Sequence, residues 1–401
     1  MKKNSGCIQT THAGSLPRTD ALRRAAAQKA AGDSHAFDEL RGPAVDAVVA
    51  RQQEAGITQP NDGEYGKAMS QAVDYGAWWS YAFDRVDGLE IDPAGRSLAE
   101  RHLSEPGHVA LTGFAHRRDR ARFSNAYEDP ESGISVPRGA VPFPKIVAPL
   151  RYVGQDAVAS DIANLQAALA HHGYDQGFLT AVSPGSLSRV GNDYYRNDHD
   201  LLWACADVMH EEYRAIADSG LILQIDDPSI AENFDQIEPE PSVADYVAFT
   251  RERVDALNYA LRGIPRDQVR FHLCWGSWHG PHTTDIGFEH LVELLLEIDA
   301  DAYSFEAANV RHEHEWRVWE NHELPADRVI LPGVVTHSTN VVEHPDLVAQ
   351  RIVRFAGLVG ADRVYASTDC GLGGRLHPDI AWAKLDALGE GARRATAALW
   401  R

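Results

Sequence analysis

Val269-Arg270-Phe271-His272-Leu273-Cys274-Trp275 reads as an extended apolar run that delivers two potential ligands, one residue apart, near its carboxyl end. Alternate residues of a strand point to the same face, so His272 and Cys274 can reach one point in space. The same design recurs downstream, where Ala302-Tyr303-Ser304-Phe305 ends at Glu306 and Val364-Tyr365-Ala366-Ser367-Thr368-Asp369 ends at Cys370. Working outward, short apolar runs alternate with helical patterns. The strand candidates are Phe178–Val182, Leu221–Ile225, Val269–Trp275, Ala302–Phe305, Val329–Val335 and Arg363–Ser367. Helical spacing fills the gaps over Tyr194–Ser219, Val243–Arg262, Phe288–Ile298, Pro345–Val359 and Ile380–Leu399. Such alternation implies an α/β fold with a parallel sheet. Two earlier runs, near residues 8 and 57, bring the strands to about eight, as a closed (β/α)8 TIM barrel requires. A doubly wound open sheet is the runner-up, but no glycine-rich dinucleotide or P-loop string follows the first strand.

With 401 residues and 44% hydrophobic content the chain can bury a large core, and we read 1–401 as a single barrel domain. From 84 to 144 the pattern breaks into Gly, Pro and mixed charge, which predicts an inserted hairpin arm or lid. Within it, Arg117-Arg118-Asp119-Arg120-Ala121-Arg122 has an acid inside it and an acidic chain around it, and reads as a solvated face. The formal charge of -20 argues against a nucleic-acid or anionic-membrane surface. No stretch approaches the ~20 apolar residues of a membrane span. Met1-Lys2-Lys3-Asn4-Ser5-Gly6 leads into no signal-peptide core, so the expected location is cytoplasmic. Four cysteines are too few for a disulfide scaffold and are expected to be free thiols.

Zinc takes three or four ligands from nitrogen, sulfur or carboxylate oxygen, so His272 and Cys274 need company. Glu306 and Cys370 complete a set of thiolate, imidazole and carboxylate that suits zinc better than magnesium or calcium. The competing reading makes both cysteines small buried hydrophobes and lets His272 satisfy a backbone carbonyl. Placement favours the metal. His12, Glu64, Ser183, Asp226, His272, Cys274, Glu306, His337 and Cys370 all fall at or just beyond predicted strand ends, where a barrel gathers its functional groups.

These residues carry a resemblance. Thr10-Thr11-His12-Ala13-Gly14-Ser15-Leu16-Pro17-Arg18, Gln224-Ile225-Asp226-Asp227-Pro228, His272-Leu273-Cys274, the approach Asp299-Ala300-Asp301 to Glu306, Pro332-Gly333-Val334 leading to His337, and Asp369-Cys370-Gly371-Leu372 follow a known order. Together they resemble the cobalamin-independent methionine synthase family over its catalytic barrel, without the amino-terminal barrel of the long members. Epoxyalkane:coenzyme M transferase is also similar. The resemblance implies a TIM barrel of the methionine synthase/uroporphyrinogen decarboxylase-like type, with zinc on His272, Cys274, Glu306 and Cys370. It further implies that Gly14, Ser15, Glu64 and Asp226 hold the polar groups of a small thiol and that His337, with Asp226, acts in catalysis. The expected activity is alkyl transfer, methyl first, to a thiol such as homocysteine activated as a zinc thiolate. Thiol addition to an epoxide, or the reverse lyase reaction, is second, and a non-catalytic zinc-binding barrel third. The expected partners are therefore a small thiol and an alkyl donor; no motif addresses oligomeric state.

The sequence departs from the methionine synthase pattern in two places. Val182-Ser183-Pro184-Gly185-Ser186-Leu187 stands where the family carries an aromatic for the folate ring, and Trp275-Gly276-Ser277-Trp278-His279-Gly280-Pro281-His282 is closer to the paralogues. Trp275, Trp278 and the pair Trp78-Trp79 are candidates for an apolar or cation-binding wall, with core packing the competing role.

Overall fold

The computed structural model describes residues 3–67, 77–134, 141–276 and 278–400. Residues 135–140 of the predicted arm and Ser277 of the Trp275–His282 stretch lie outside the described residues. The assigned strands are β1 (Val86–Asp92), β2 (Phe143–Tyr152), β3 (Phe178–Val182), β4 (Gly191–Asn192), β5 (Ile222–Asp226), β6 (Val269–Leu273), β7 (Ala302–Phe305), β8 (Val329–Val335) and β9 (Ser367–Thr368).

The central element is a parallel sheet in the order β3-β5-β6-β7-β8-β9. Its strands are buried on both faces, which is why they read as continuous apolar runs and not as alternating ones. Register places Val182 opposite Asp226, Asp226 opposite His272, and His272 opposite Ser304. Polar groups at the carboxyl ends of neighbouring strands therefore share one level.

The predicted runs near residues 8 and 57 are not assigned as strands. They join the sheet through isolated parallel bridges, Thr10 to Ala366 just before β9 and Asn61 to Phe178 of β3. The reason is local chemistry: the Thr58 hydroxyl accepts the Thr10 amide at 2.8 Å, displacing a regular ladder bond, and Pro60 has no amide to donate. Between the two segments, the amides of Thr58 and Gln59 both donate to the Thr10 carbonyl at 3.0 Å. Arg270 of β6 ties the same segments from inside. Its buried guanidinium donates to Thr11 Oγ1 (2.9 Å), Gln59 Oε1 (2.8 Å), Gln224 Oε1 (2.6 Å) and the His12 carbonyl (2.6 Å). It also lies 3.6 Å from the Phe178 ring centroid.

Helices cover the sheet. Val348, Ile352, Phe355, Ala356 and Val359 form the buried stripe of the helix Pro345–Val359, at the spacing of one helical face. Pro345 opens that helix, where its missing amide costs nothing, and the helix Pro378–Leu399 packed against it opens the same way. The alanine-rich stretch 20–55 forms two helices, Asp20–Ala30 and His35–Glu54. No helix among the described residues is long and apolar enough to cross a membrane.

β1 and β2 pair antiparallel and frame the insertion. At its base, Arg85 pairs with Asp161 (2.5 Å) and Glu212 (3.4 Å), and the hydroxyls of Tyr81 and Tyr152 donate to Glu212. Further out, the basic run expected to be solvated is only partly so: Arg117 and Asp119 are buried, while Ala121 and Arg122 are exposed. Arg117 pairs with Glu232, which also accepts from Arg189 at 2.7 Å, while the buried Asp119 accepts from the Tyr127 hydroxyl and from Thr283. The cause is a set of acids on the loop after β5, namely Glu232, Asp235 and Glu240, which the arm meets in the fold. The insertion thus rests on the loops that follow β5 and β6.

Candidate metal centre

β6 sets His272 facing inward, and the chain beyond it carries Cys274 back toward the same point. Ligand atoms of His272, Cys274 and Cys370 all lie within 4.8 Å of one another. His272 Nδ1 is engaged with Ser304 Oγ at 3.0 Å, while its buried Nε2 has no hydrogen-bond partner. That fixes which ring nitrogen faces the thiols. The cysteines form a coupled pair. Donation to Cys370, reinforced by burial, holds the Cys274 thiol well above its ordinary pKa. Accepting that bond holds Cys370 well below its own, against burial and with help from His272 and His337.

Glu306, one residue past β7, sits beside this group. Its Oε1 accepts the Trp275 amide at 3.0 Å and its Oε2 accepts Asn309 Nδ2 at 2.5 Å. Burial first, then the charges of Asp369 and Cys370, push its carboxyl well up. Oxygens of Glu306 and Asp369 and a ring nitrogen of His337 form a second group within 4.8 Å. Burial lowers His337 to about 4, so the imidazole is neutral at physiological pH. Burial raises Asp369 to about 6.

Asp226 closes β5 and accepts Gln224 Nε2 at 2.6 Å. Burial raises its carboxyl to about 7, with His272 lowering it and Glu64 raising it. Glu64 stands in a turn at φ 62°, a left-handed conformation unusual for a residue with a side chain. Its Oε1 accepts from Thr180 at 2.9 Å and its Oε2 is buried without a partner. Neither acid caps a helix among the described residues. Lys67, also buried, donates to Thr180 Oγ1 and to the Thr180 carbonyl at 2.7 Å. Gly14 approaches this pair so closely that a Cβ would lie 2.7 Å from Glu64 Oε1. Ser15 accepts the amides of Leu372 and Gly373 on its carbonyl, at 2.9 and 3.0 Å, which locks the Gly14-Ser15 loop against the turn that carries Cys370.

Other strand-end residues do structural work. His12 donates through Nε2 to Gln52 (2.7 Å) and accepts the Gly14 amide at Nδ1 (3.2 Å), and burial lowers it to about 3. Ser183 caps the short helix Pro184–Leu187 by accepting the Ser186 amide. Of the four tryptophans, Trp275 is buried and stacks on His312 at 3.9 Å, and Trp79 donates to the Ser186 carbonyl. Trp78 is half-buried against the core. Trp278 takes the Arg117 guanidinium over its ring at 4.2 Å, so the cation it meets belongs to the arm. Composition missed Arg270, whose four partners come from separated stretches, and Asp369, hidden as the last residue before Cys370.

Residues 163–393 match the family described as cobalamin-independent synthase, catalytic domain. Among similar proteins, 2-hydroxypropyl-CoM lyase of Xanthobacter autotrophicus is 28% identical over 52% of this chain and 58% of its own. A methionine synthase of Sulfolobus acidocaldarius is 22% identical over 91% of this chain and 86% of its own. In structure, a B12-independent methionine synthase from Shewanella sp. W3-18-1 superposes with a TM-score of 0.69 at 19% identity, covering 98% of this chain and 99% of the other. With more than half of its residues matching that catalytic domain, the chain belongs to the cobalamin-independent synthase family.

Proposed function

We propose that the chain is a zinc-dependent thiol alkyltransferase on a (β/α)8 barrel, in which the segments at Thr10 and Asn61 serve as the first two barrel strands. The observation that carries this reading is the donor set at neighbouring strand ends: a buried and a half-buried thiol, a buried imidazole with an unpartnered Nε2, and the buried Glu306 carboxyl beside them. Sulfur and nitrogen donors with one carboxylate fit zinc, and the Ser304 contact leaves His272 Nε2 as the ligating atom. His272, Cys274, Glu306 and Cys370 would hold the ion. Zinc bound there lowers the pKa of an entering thiol and keeps its sulfur nucleophilic.

The protein's own groups do the rest. Asp226 and Glu64 face a substrate ammonium, and the Gly14-Ser15 loop receives its carboxylate. Glu306 would hold the metal in the resting site, and Asn309 and the Trp275 amide would keep its carboxylate in place when a substrate sulfur is bound. His337, neutral at rest, accepts the thiol proton and returns it to the leaving atom once sulfur has formed its bond to carbon. The carbon to leaving-group bond breaks with its electron pair on the leaving atom, so the proton balance closes.

Methyl transfer to homocysteine is the first assignment. Thiol addition to an epoxide, or its reverse, is the second, and the similarity to 2-hydroxypropyl-CoM lyase favours it specifically. A screen of thiols against methyl donors and epoxides, read by product mass, separates the two. A thioether from any pair supports the reading, whereas a zinc-loaded protein that alkylates no thiol would return it to a non-catalytic zinc barrel.

A further inference from the structure

The turns bearing the proposed ligands are joined in series by hydrogen bonds from each ligand's immediate neighbours. Trp275, next to Cys274, donates its amide to Glu306. Ala307 and Ala308, next to Glu306, donate theirs to one oxygen of Asp369, Oδ1, at 2.7 and 2.8 Å. Asp369 adjoins Cys370, and its own amide donates to the Val335 carbonyl at the end of β8. Arg351 grips the same turn from the opposite side, donating to the Ala308 carbonyl at 3.1 Å and to the Val334 carbonyl at 2.9 Å. Room for the carboxylate is made by Gly333, where a Cβ would stand 2.0 Å from Asp369 Oδ1.

Resting on the metal centre proposed above, we propose that Asp369 is a positioning residue that locks the Glu306 turn to the Cys370 turn. It fixes the distance between the carboxylate that must leave and the sulfur that must stay, and gives Glu306 a defined position to return to. Two amides converging on one fully buried carboxylate oxygen make a stiff link, since an ionised acceptor strengthens each bond and either amide would otherwise be buried unpaired.

The test is zinc release from the zinc-loaded full chain to a chromogenic chelator. Partners that orient metal ligands typically change metal affinity by 10- to 100-fold. Asp369→Ala is expected to release zinc at least about tenfold faster, and Asp369→Asn, which keeps an acceptor oxygen, to recover most of the loss. Gly333→Ala, which pushes on the carboxylate without touching a ligand, is expected to speed release as well and stands in should Asp369→Ala fold poorly. Asp161→Ala, another buried acid at the base of the arm, controls for stability alone and should leave release unchanged. Wild-type release from both Asp369→Ala and Gly333→Ala, or equal acceleration in Asp161→Ala, overturns the proposal. Wild-type protein that holds no zinc overturns the metal centre instead, and the positioning role with it.

Discussion

Asp226 holds a carboxyl that burial raises to about 7, with Glu64 adding to the rise and His272 opposing it. A substrate ammonium would stabilise its charged form, and a hydrogen bond to a charged group is worth about 1.5–3 kcal/mol. Asp226→Asn should therefore weaken homocysteine by roughly 10- to 100-fold and leave a thiol without an amine nearly unaffected, as measured by KM or direct titration. Equal losses for both thiols would make Asp226 structural. The residue scale also shows what type and position cannot reveal. His12 and His337 both lie at strand ends and both are buried, yet one is bracketed by Gln52 and the Gly14 amide while the other has an unpartnered Nδ1. That difference depends on neighbours 40 residues away in the first case, and no spacing rule contains it.

At the scale of elements, β3, β5, β6, β7 and β8 were legible because burial on both faces leaves a largely apolar run, whereas the run Arg363–Ser367 forms isolated bridges at Val364 and Ala366 before the two-residue strand Ser367–Thr368. The first two segments, read as strands, form only isolated bridges, since Thr58 and Pro60 interrupt their ladders. The arm was legible as an insertion, whereas its burial was not, because Arg117 finds Glu232 115 residues away. Although burial alone would raise it, Glu232 is held at about 2 by the Arg117 and Arg189 guanidiniums. Removing one member of such a buried cluster costs about 3–5 kcal/mol. Glu232→Gln is thus expected to loosen the arm, exposing 114–128 to limited proteolysis and shifting donor KM while zinc content stays unchanged. An unaltered digestion pattern would contradict the latch. The loop after β6 has its own pH dependence. Asp285 accepts from His282 (2.9 Å) and His312 (3.1 Å), and Glu315 accepts from His312 (2.8 Å). Burial pushes both histidines down, but hydrogen bonds to these acids raise both overall. A raised folded pKa gives stability that is complete below the unfolded value and is lost as pH rises through the folded one. Amide exchange across Thr283–Ile286 should accelerate as pH rises above the ordinary histidine value of about 6.5, after correction for intrinsic exchange, and Asp285→Asn should abolish the dependence. A pH-independent wild type would refute this account.

For the whole molecule, the arm packs on the loops after β5 and β6, and two cations near the strand ends are already engaged. Arg18 donates to the carbonyls of Glu64 and Lys67, and Lys67 is committed to Thr180. The Pro184–Leu187 turn presents no aromatic to stack a pterin, an interaction worth about 0.5–1.5 kcal/mol beyond area burial. Methyltetrahydrofolate with a long glutamate tail should accordingly be a poor donor compared with a smaller methyl donor or an epoxide. Efficient turnover at micromolar polyglutamylated folate would contradict that. Activation of a thiol on a metal held by these residues is the central claim, and metal-edge X-ray absorption on the zinc-loaded protein, with and without thiol, tests it most directly. The account predicts two sulfur ligands at rest, from Cys274 and Cys370, and a third replacing an oxygen when the thiol is added. A sulfur shell that does not change on adding thiol, or one with no protein sulfur at all, would contradict it.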